Sequence, residues 1–195
     1  GRGPLAGPVV AAAVLFDRAL CDAFPEELRG LNDSKQLSPE ARERYHPLIL
    51  KHAAAYGIGI VSAAEIDRMN ILQATMHAMT LAVEELTTRL ALLGRTPELL
   101  LIDGNHFRSP LTTPARTVIR GDARSPLIAA ASVIAKVTRD RIMTEIDQRY
   151  PEYGFAAHKG YGTAAHTAAL ERYGPTPEHR RSFRPERFAQ LDLSI

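Results

Sequence analysis

The chain has 195 residues, 45% of them hydrophobic and 24% charged, a balance that suits a globular fold with a real core and excludes a disordered or fibrous chain. A formal charge of +2 means that nucleic-acid binding has to be argued from where the basic residues lie rather than from their total. The single cysteine, Cys21, excludes an internal disulfide and fits a cytoplasmic compartment, and no apolar run approaches the roughly 20 residues of a spanning helix, so no membrane partner is expected.

The apolar run Val9–Phe16, bounded by Pro8 and Asp17, predicts a buried strand because it is too short for a helix. Ser38 and Pro39 then open a helix, the hydroxyl capping free amides and the proline giving up an N–H that has no partner there, and Pro47 should end or kink it. Residues 56–61 alternate well enough for a second strand. Ser62 with Glu65 forms a capping box that starts one long helix. Its stripe of Ile66, Met69, Gln73, Met76, Met79, Val83, Leu86 and Leu90 recurs every three or four residues, so the methionines read as packing. Residues 99–102 form a compact strand that runs into Asp103, Gly104 and Asn105, which puts an acid at the strand's carboxyl end. Val118 and Ile119 belong to a further strand, and Ser125 with Pro126 starts a second long helix reaching about Tyr150. The small residues Ala129, Ala130, Ala131, Ser132 and Ala135 let that helix approach a sheet closely. Strands followed by capped helices, without a flexible linker or repeat, predict an α/β fold with one sheet layer between helices.

Asp103 stands where α/β sheets present ligands, and Asp122 lies between Gly121 and a helix start. Each alone also reads as a turn or capping residue; together they could share a hard divalent cation with water and phosphate oxygens. The histidines lack the paired spacing that zinc requires, and each reads more readily as an ordinary core or surface residue. Gly160, Gly162 and Ala165 mimic a dinucleotide fingerprint, but no apolar strand leads into them. Flanked by Lys159 and with Tyr161 inside it, this loop could offer amides and a flat ring to nucleic acid, or be a structural turn with a packed tyrosine. His179, Arg180, Arg181, Arg184 and Arg187 could likewise meet a phosphate backbone, or form a solvated face with Glu178 and Glu186.

Taken in order, these motifs resemble the ribonuclease HII family. The opening Gly1, Arg2, Gly3, Pro4, Leu5, Ala6, Gly7 and Pro8 is similar to the family's GRG segment, and Asp33, Ser34, Lys35 and Leu37 to its DSK segment. Residues 70–79 resemble its long-helix motif, and Asp103, Gly104 and Asn105 its internal strand end. Gly121, Asp122, Ala130, Ala131, Ser132, Ala135, Lys136, Val137, Arg139 and Asp140 match its most distinctive helix segment. Residues 158–163 and 179–183 complete the series.

The resemblance implies a ribonuclease H-like fold, a mixed central sheet flanked by helices, in one catalytic domain over residues 1–195 with a C-terminal helical and basic segment. It implies a monomeric endoribonuclease that hydrolyses the phosphodiester 5′ to a ribonucleotide, in RNA–DNA hybrid or in duplex DNA containing ribonucleotides, leaving a 3′-hydroxyl and a 5′-phosphate. Two Mg²⁺ or Mn²⁺ ions would do the central work, with Asp103 and Asp122 among the catalytic, metal-holding acids. Gly1, Arg2, Gly3 and Tyr161 correspond to the group that reads the 2′-hydroxyl, and Lys35 to a phosphate contact. The family's Asp-Glu pair stands immediately before the GRG segment, whereas this sequence starts at Gly1. The expectation is therefore a chain truncated before that pair, with impaired cleavage. A noncatalytic nucleic-acid-binding domain, which needs no metal, is the alternative. A small-molecule α/β enzyme rests only on the fold and the glycine-rich loop. Arg2 and the short chain favour ribonuclease HII over HIII.

Overall fold

Strand β1, Val9–Phe16, covers the whole apolar run in a computed structural model that describes residues 1–17 and 25–183. Cys21, Arg184, Glu186 and Arg187 lie outside the described residues. Helix α1, Pro39–His52, starts as its sequence predicts, with the Ser38 hydroxyl accepting from Ala41 N–H. It does not stop at Pro47: buried Tyr45, His46 and Ile49 anchor the turns on both sides, and that burial outweighs the N–H that proline removes from the ladder. Strand β2, Ala53–Val61, begins earlier than the alternation suggests and pairs with β1.

The predicted long helix is two helices. Helix α2, Ala63–Met69, opens on the capping box of Ser62 and Glu65, and helix α3 runs over Ile71–Ala91. Asn70 separates them with a φ of 71°, and its side-chain carbonyl accepts from the backbone of Leu72 and Gln73, restarting the helix. Strand β3, Leu100–Asp103, pairs in parallel with β4, Ala115–Val118, in a register that sets Asp103 opposite Val118. A short helix that the sequence does not announce, α4 over Gly121–Arg124, precedes the second long helix, α5, Pro126–Arg149. Helices α6, Phe155–His158, and α7, Ala164–Tyr173, follow, the latter capped by the Thr163 hydroxyl.

Among the described residues the strands form two pairs, β1 with β2 and β3 with β4, instead of the single layer the element order suggests. β4 is mostly exposed, the character of an edge strand rather than of a strand buried on both faces. The described residues gather into two compact units. One comprises Gly1–Val9, Val61–Thr75 and the described residues from Thr138 on; the other comprises Val10–Ile60 and Met76–Val137. The core of the second unit joins Phe16, Leu28, Tyr45 and Ile49 to Ala130, Val133, Ile134 and Val137 of α5. The core of the first joins Ala6, Met143, Ile146, Tyr153, Phe155 and Ala169.

Candidate functional site

The two carboxylates singled out in the sequence come together within the second unit. Asp103 ends β3 half-buried, and one of its oxygens accepts from Gly121 N–H at 2.8 Å. The bond ties the end of β3 to the start of α4, so Asp122 follows directly on the residue that Asp103 holds. Gly121 eases this proximity: a Cβ there would press on Ile128 Cδ1 at 2.6 Å and on the Asp103 oxygen at 3.3 Å, so both side chains would have to shift. Burial first, then the charges of Asp103 and Asp33, push the proton affinity of Asp122 up, while Lys35 pulls it down. Asp33 is positioned by its own segment, its carboxylate accepting from the Lys35 backbone N–H at 2.9 Å, and the Lys35 side chain is exposed. A crowd of acids that raises one member's proton affinity would equally be relieved by a bound cation. The donors are all oxygen, which suits Mg²⁺ or Mn²⁺ and not a soft metal. Among the described residues no three His, Cys, Asp or Glu side chains gather as a metal-holding group. Carboxylates here would thus fill part of a coordination shell, with water and substrate oxygens as the remainder.

The other predicted site residues lie in the first unit. Gly1, Arg2, Gly3 and Tyr161 are all exposed, and a Cβ on Gly3 would come within 3.9 Å of Tyr161 Cε1, so the ring flanks the GRG segment. Gly160 carries a φ of 81°, and a Cβ there would meet Ala6 O at 2.5 Å; its carbonyl accepts from Leu5 N–H at 2.8 Å. The loop of residues 158–163 and the chain's first residues are therefore clamped backbone to backbone, which is why a side chain is not tolerated at that point.

Two arginines complete the clamp. Arg180 is only 2% exposed, and its guanidinium donates to the carbonyls of Gly1, Arg2, Gly7 and Pro8 at 2.8 to 3.1 Å. Arg139, equally buried, donates to the carbonyls of Ala6, Pro8 and Lys159, all at 2.9 Å. Burial, then the neighbouring Arg139 charge, pushes Arg180 down to about 10, which leaves it protonated at neutral pH. Of the C-terminal basic residues read as either a phosphate contact or a solvated face, His179 and Arg180 are neither, being buried, while Arg181 is exposed. The charge of Arg180 in the sequence cannot distinguish a surface guanidinium from one committed to backbone carbonyls. His166 and His179 are buried beside Tyr161 and Thr176, a pairing that nothing in their sequence spacing signals.

Comparison with known proteins adds a second line. The family model described as Ribonuclease HII matches residues 1–189. The chain is 57% identical over 187 residues to Ribonuclease HII of Geobacillus kaustophilus, covering 96% of this chain and 66% of that protein. It is 54% identical over 191 residues to Ribonuclease HII 1 of Methylibium petroleiphilum, covering 97% and 88%. Among solved structures it is similar to the ribonuclease H2 of Pyrococcus horikoshii, with a TM-score of 0.73 and 27% identity, over 98% of this chain and 92% of that one. These similarities carry the ribonuclease H-like fold as well as the family.

Proposed function

The chain belongs to the ribonuclease HII family, metal-dependent endoribonucleases that act on RNA–DNA hybrids, and from that premise we propose how its own residues serve the reaction. Asp103 and Asp122 take part in holding Mg²⁺ or Mn²⁺, and cleavage falls 5′ to a ribonucleotide in hybrid or in ribonucleotide-containing duplex DNA. When bound, the divalent ions supply the positive charge that activates water and steadies the leaving oxygen. Gly121 N–H engages one oxygen of Asp103, fixing the carboxylate plane and leaving the other oxygen for a cation. Lys35, exposed and electrostatically coupled to Asp122, offers charge to a phosphate. Gly1, Arg2, Gly3 and Tyr161 read the 2′-hydroxyl, the glycines by permitting close backbone approach and the tyrosine by laying its ring on the sugar. The chain works as a monomer in the cytoplasm. Among the described residues no helix is long and apolar enough to cross a membrane.

The observation that carries this reading is the tie from Gly121 N–H to Asp103, which brings the two acids to adjoining element ends. Mn²⁺ binding followed by electron paramagnetic resonance tests it. Asp103→Asn and Asp122→Asn should each weaken Mn²⁺ binding by about tenfold or more, the usual scale for disturbing a metal's ligands, while Tyr161→Ala leaves it unchanged. Unaltered Mn²⁺ affinity in both would remove the metal role of these acids.

A further inference from the structure

The backbone of Tyr161 is held by a chain of buried imidazoles whose protons can be placed from their partners. Thr176 N–H donates to His179 Nδ1 at 2.9 Å, and the Thr176 hydroxyl lies equally near that nitrogen. An accepting Nδ1 puts the proton of a neutral His179 on Nε2, which stands 3.0 Å from Nε2 of His166. His166 must accept there, so its proton sits on Nδ1, 2.9 Å from the Tyr161 carbonyl oxygen. Every contact in the series then has one donor and one acceptor, all running from Thr176 toward Tyr161. This order exists only while both rings are neutral, and their surroundings keep them so. His166 is wholly buried, and His179 lies among the rings of Tyr153, Phe155 and His166. His158 stacks on His166 at 4.5 Å and closes its face; it accepts from Gly160 N–H at Nδ1, which leaves its Nε2 proton for the Tyr153 carbonyl at 2.7 Å.

The Tyr161 side chain is 45% exposed, so its direction has to come from the backbone beneath it. That carbonyl accepts from Thr163 N–H at 2.8 Å and from His166. We propose that His166, oriented by His179, is a positioning residue for ribonucleotide recognition: its Nδ1–H fixes the Tyr161 carbonyl and so sets the ring beside Gly3. The inference rests on Tyr161 reading the 2′-hydroxyl. A reading group on an exposed loop is only as selective as the shell that holds it, and a wholly buried donor is a stiff support.

Two replacements of His166 separate positioning from bulk structure. The amide N–H of an Asn stands close to the place of Nδ1–H, and that of a Gln close to Nε2. Both lose the same buried ring, so a merely structural role affects them alike. Binding of the full chain to a fluorescent duplex with one ribonucleotide, and to the matching all-DNA duplex, gives the ribonucleotide preference as a ratio. His166→Asn should keep most of that preference. His166→Gln should lose about five- to tenfold of it, the worth of one hydrogen bond, and as much as Tyr161→Ala loses. In the Tyr161→Ala background His166→Gln should remove nothing more. If His166→Gln does not fold, His179→Leu serves, because it removes the donor that holds the His166 tautomer and should lower the preference similarly. Equal preferences in the Asn and Gln variants, or a further loss in the Tyr161→Ala background, overturn the positioning role. Should Tyr161→Ala keep the parental preference, the reading of Tyr161 fails and this inference with it. A loss confined to Tyr161→Ala would reject His166 alone.

Discussion

A guanidinium removed from water needs its N–H groups satisfied, and Arg180 achieves this with the carbonyls of Gly1, Arg2, Gly7 and Pro8. The arrangement exploits the planar fork: donors spread in one plane can serve carbonyls from both ends of a short segment at once. Lysine cannot copy it, since three donors on one atom converge on a point. Arg180→Lys should therefore strand buried acceptors and destabilise the protein by about 2 to 4 kcal/mol. Thermal melting is the check, with a fall of roughly 4 to 16 °C expected for that cost in a chain of this size. A change within 1 °C would mean that water replaces the lost donors and that the segment is not held as argued.

At the level of elements, the close approach of α3 to β2 depends on glycine. A Cβ on Gly59 would run into the Ala78 carbonyl and come within 2.9 Å of Ala82 N, while one on Gly57 would reach 2.6 Å from Leu86 N. These are backbone atoms, which cannot swing aside. Gly59→Ala should thus cost about 1 to 3 kcal/mol, the range for overpacking, despite alanine's better intrinsic propensity in regular structure. Urea unfolding would show it, and a stabilised variant would mean that the strand and helix separate freely. The same contact shows what the sequence conceals. The stripe built on Met76, Val83, Leu86 and Leu90 is indeed buried, yet Gln73 is exposed and the backbone that meets the strand glycines includes that of Ala78 and Ala82. Alanines are too weakly hydrophobic to mark a face by periodicity, and only the glycines opposite reveal that it is packed. The break at Asn70 was hidden for a related reason: its positive φ and its capping of Leu72 and Gln73 are local geometry inside an unbroken apolar rhythm. Pro47 does not end its helix, and of the two outcomes its sequence offered, an end or a kink, the first is overruled by burial of its neighbours.

For the molecule as a whole, the legible parts were those in which position along the chain already implies place in space. Asp103 and Asp122 end or begin elements, so their nearness to a sheet's carboxyl edge could be anticipated from the strand before and the helix after. His166 and His179 could not be paired that way, because nothing in their spacing distinguishes a buried relay from two unrelated core residues. That relay also makes stability depend on pH. Burial first, then the charge of His166, lowers His179 to about 4, and burial lowers His166 as well. Both groups bind protons less readily folded than unfolded, where histidine titrates near 6.5. The sign follows: stability is full above about pH 6.5 and falls as pH drops toward 4, since the unfolded chain gains protons that the folded one refuses. For His179 alone, the loss between pH 7.5 and 5.0 is on the order of 2 kcal/mol. His179→Gln keeps an N–H for His166 and cannot titrate, so unfolding free energies at those two pH values should differ by about 2 kcal/mol less in this variant than in the parent. Carboxylates with lowered proton affinity, such as Asp67, act in the same direction but are shared by both proteins and cancel in the comparison. An identical pH slope in parent and variant would show that His179 is not held neutral, and the single direction assigned to the hydrogen-bond series would have to be abandoned.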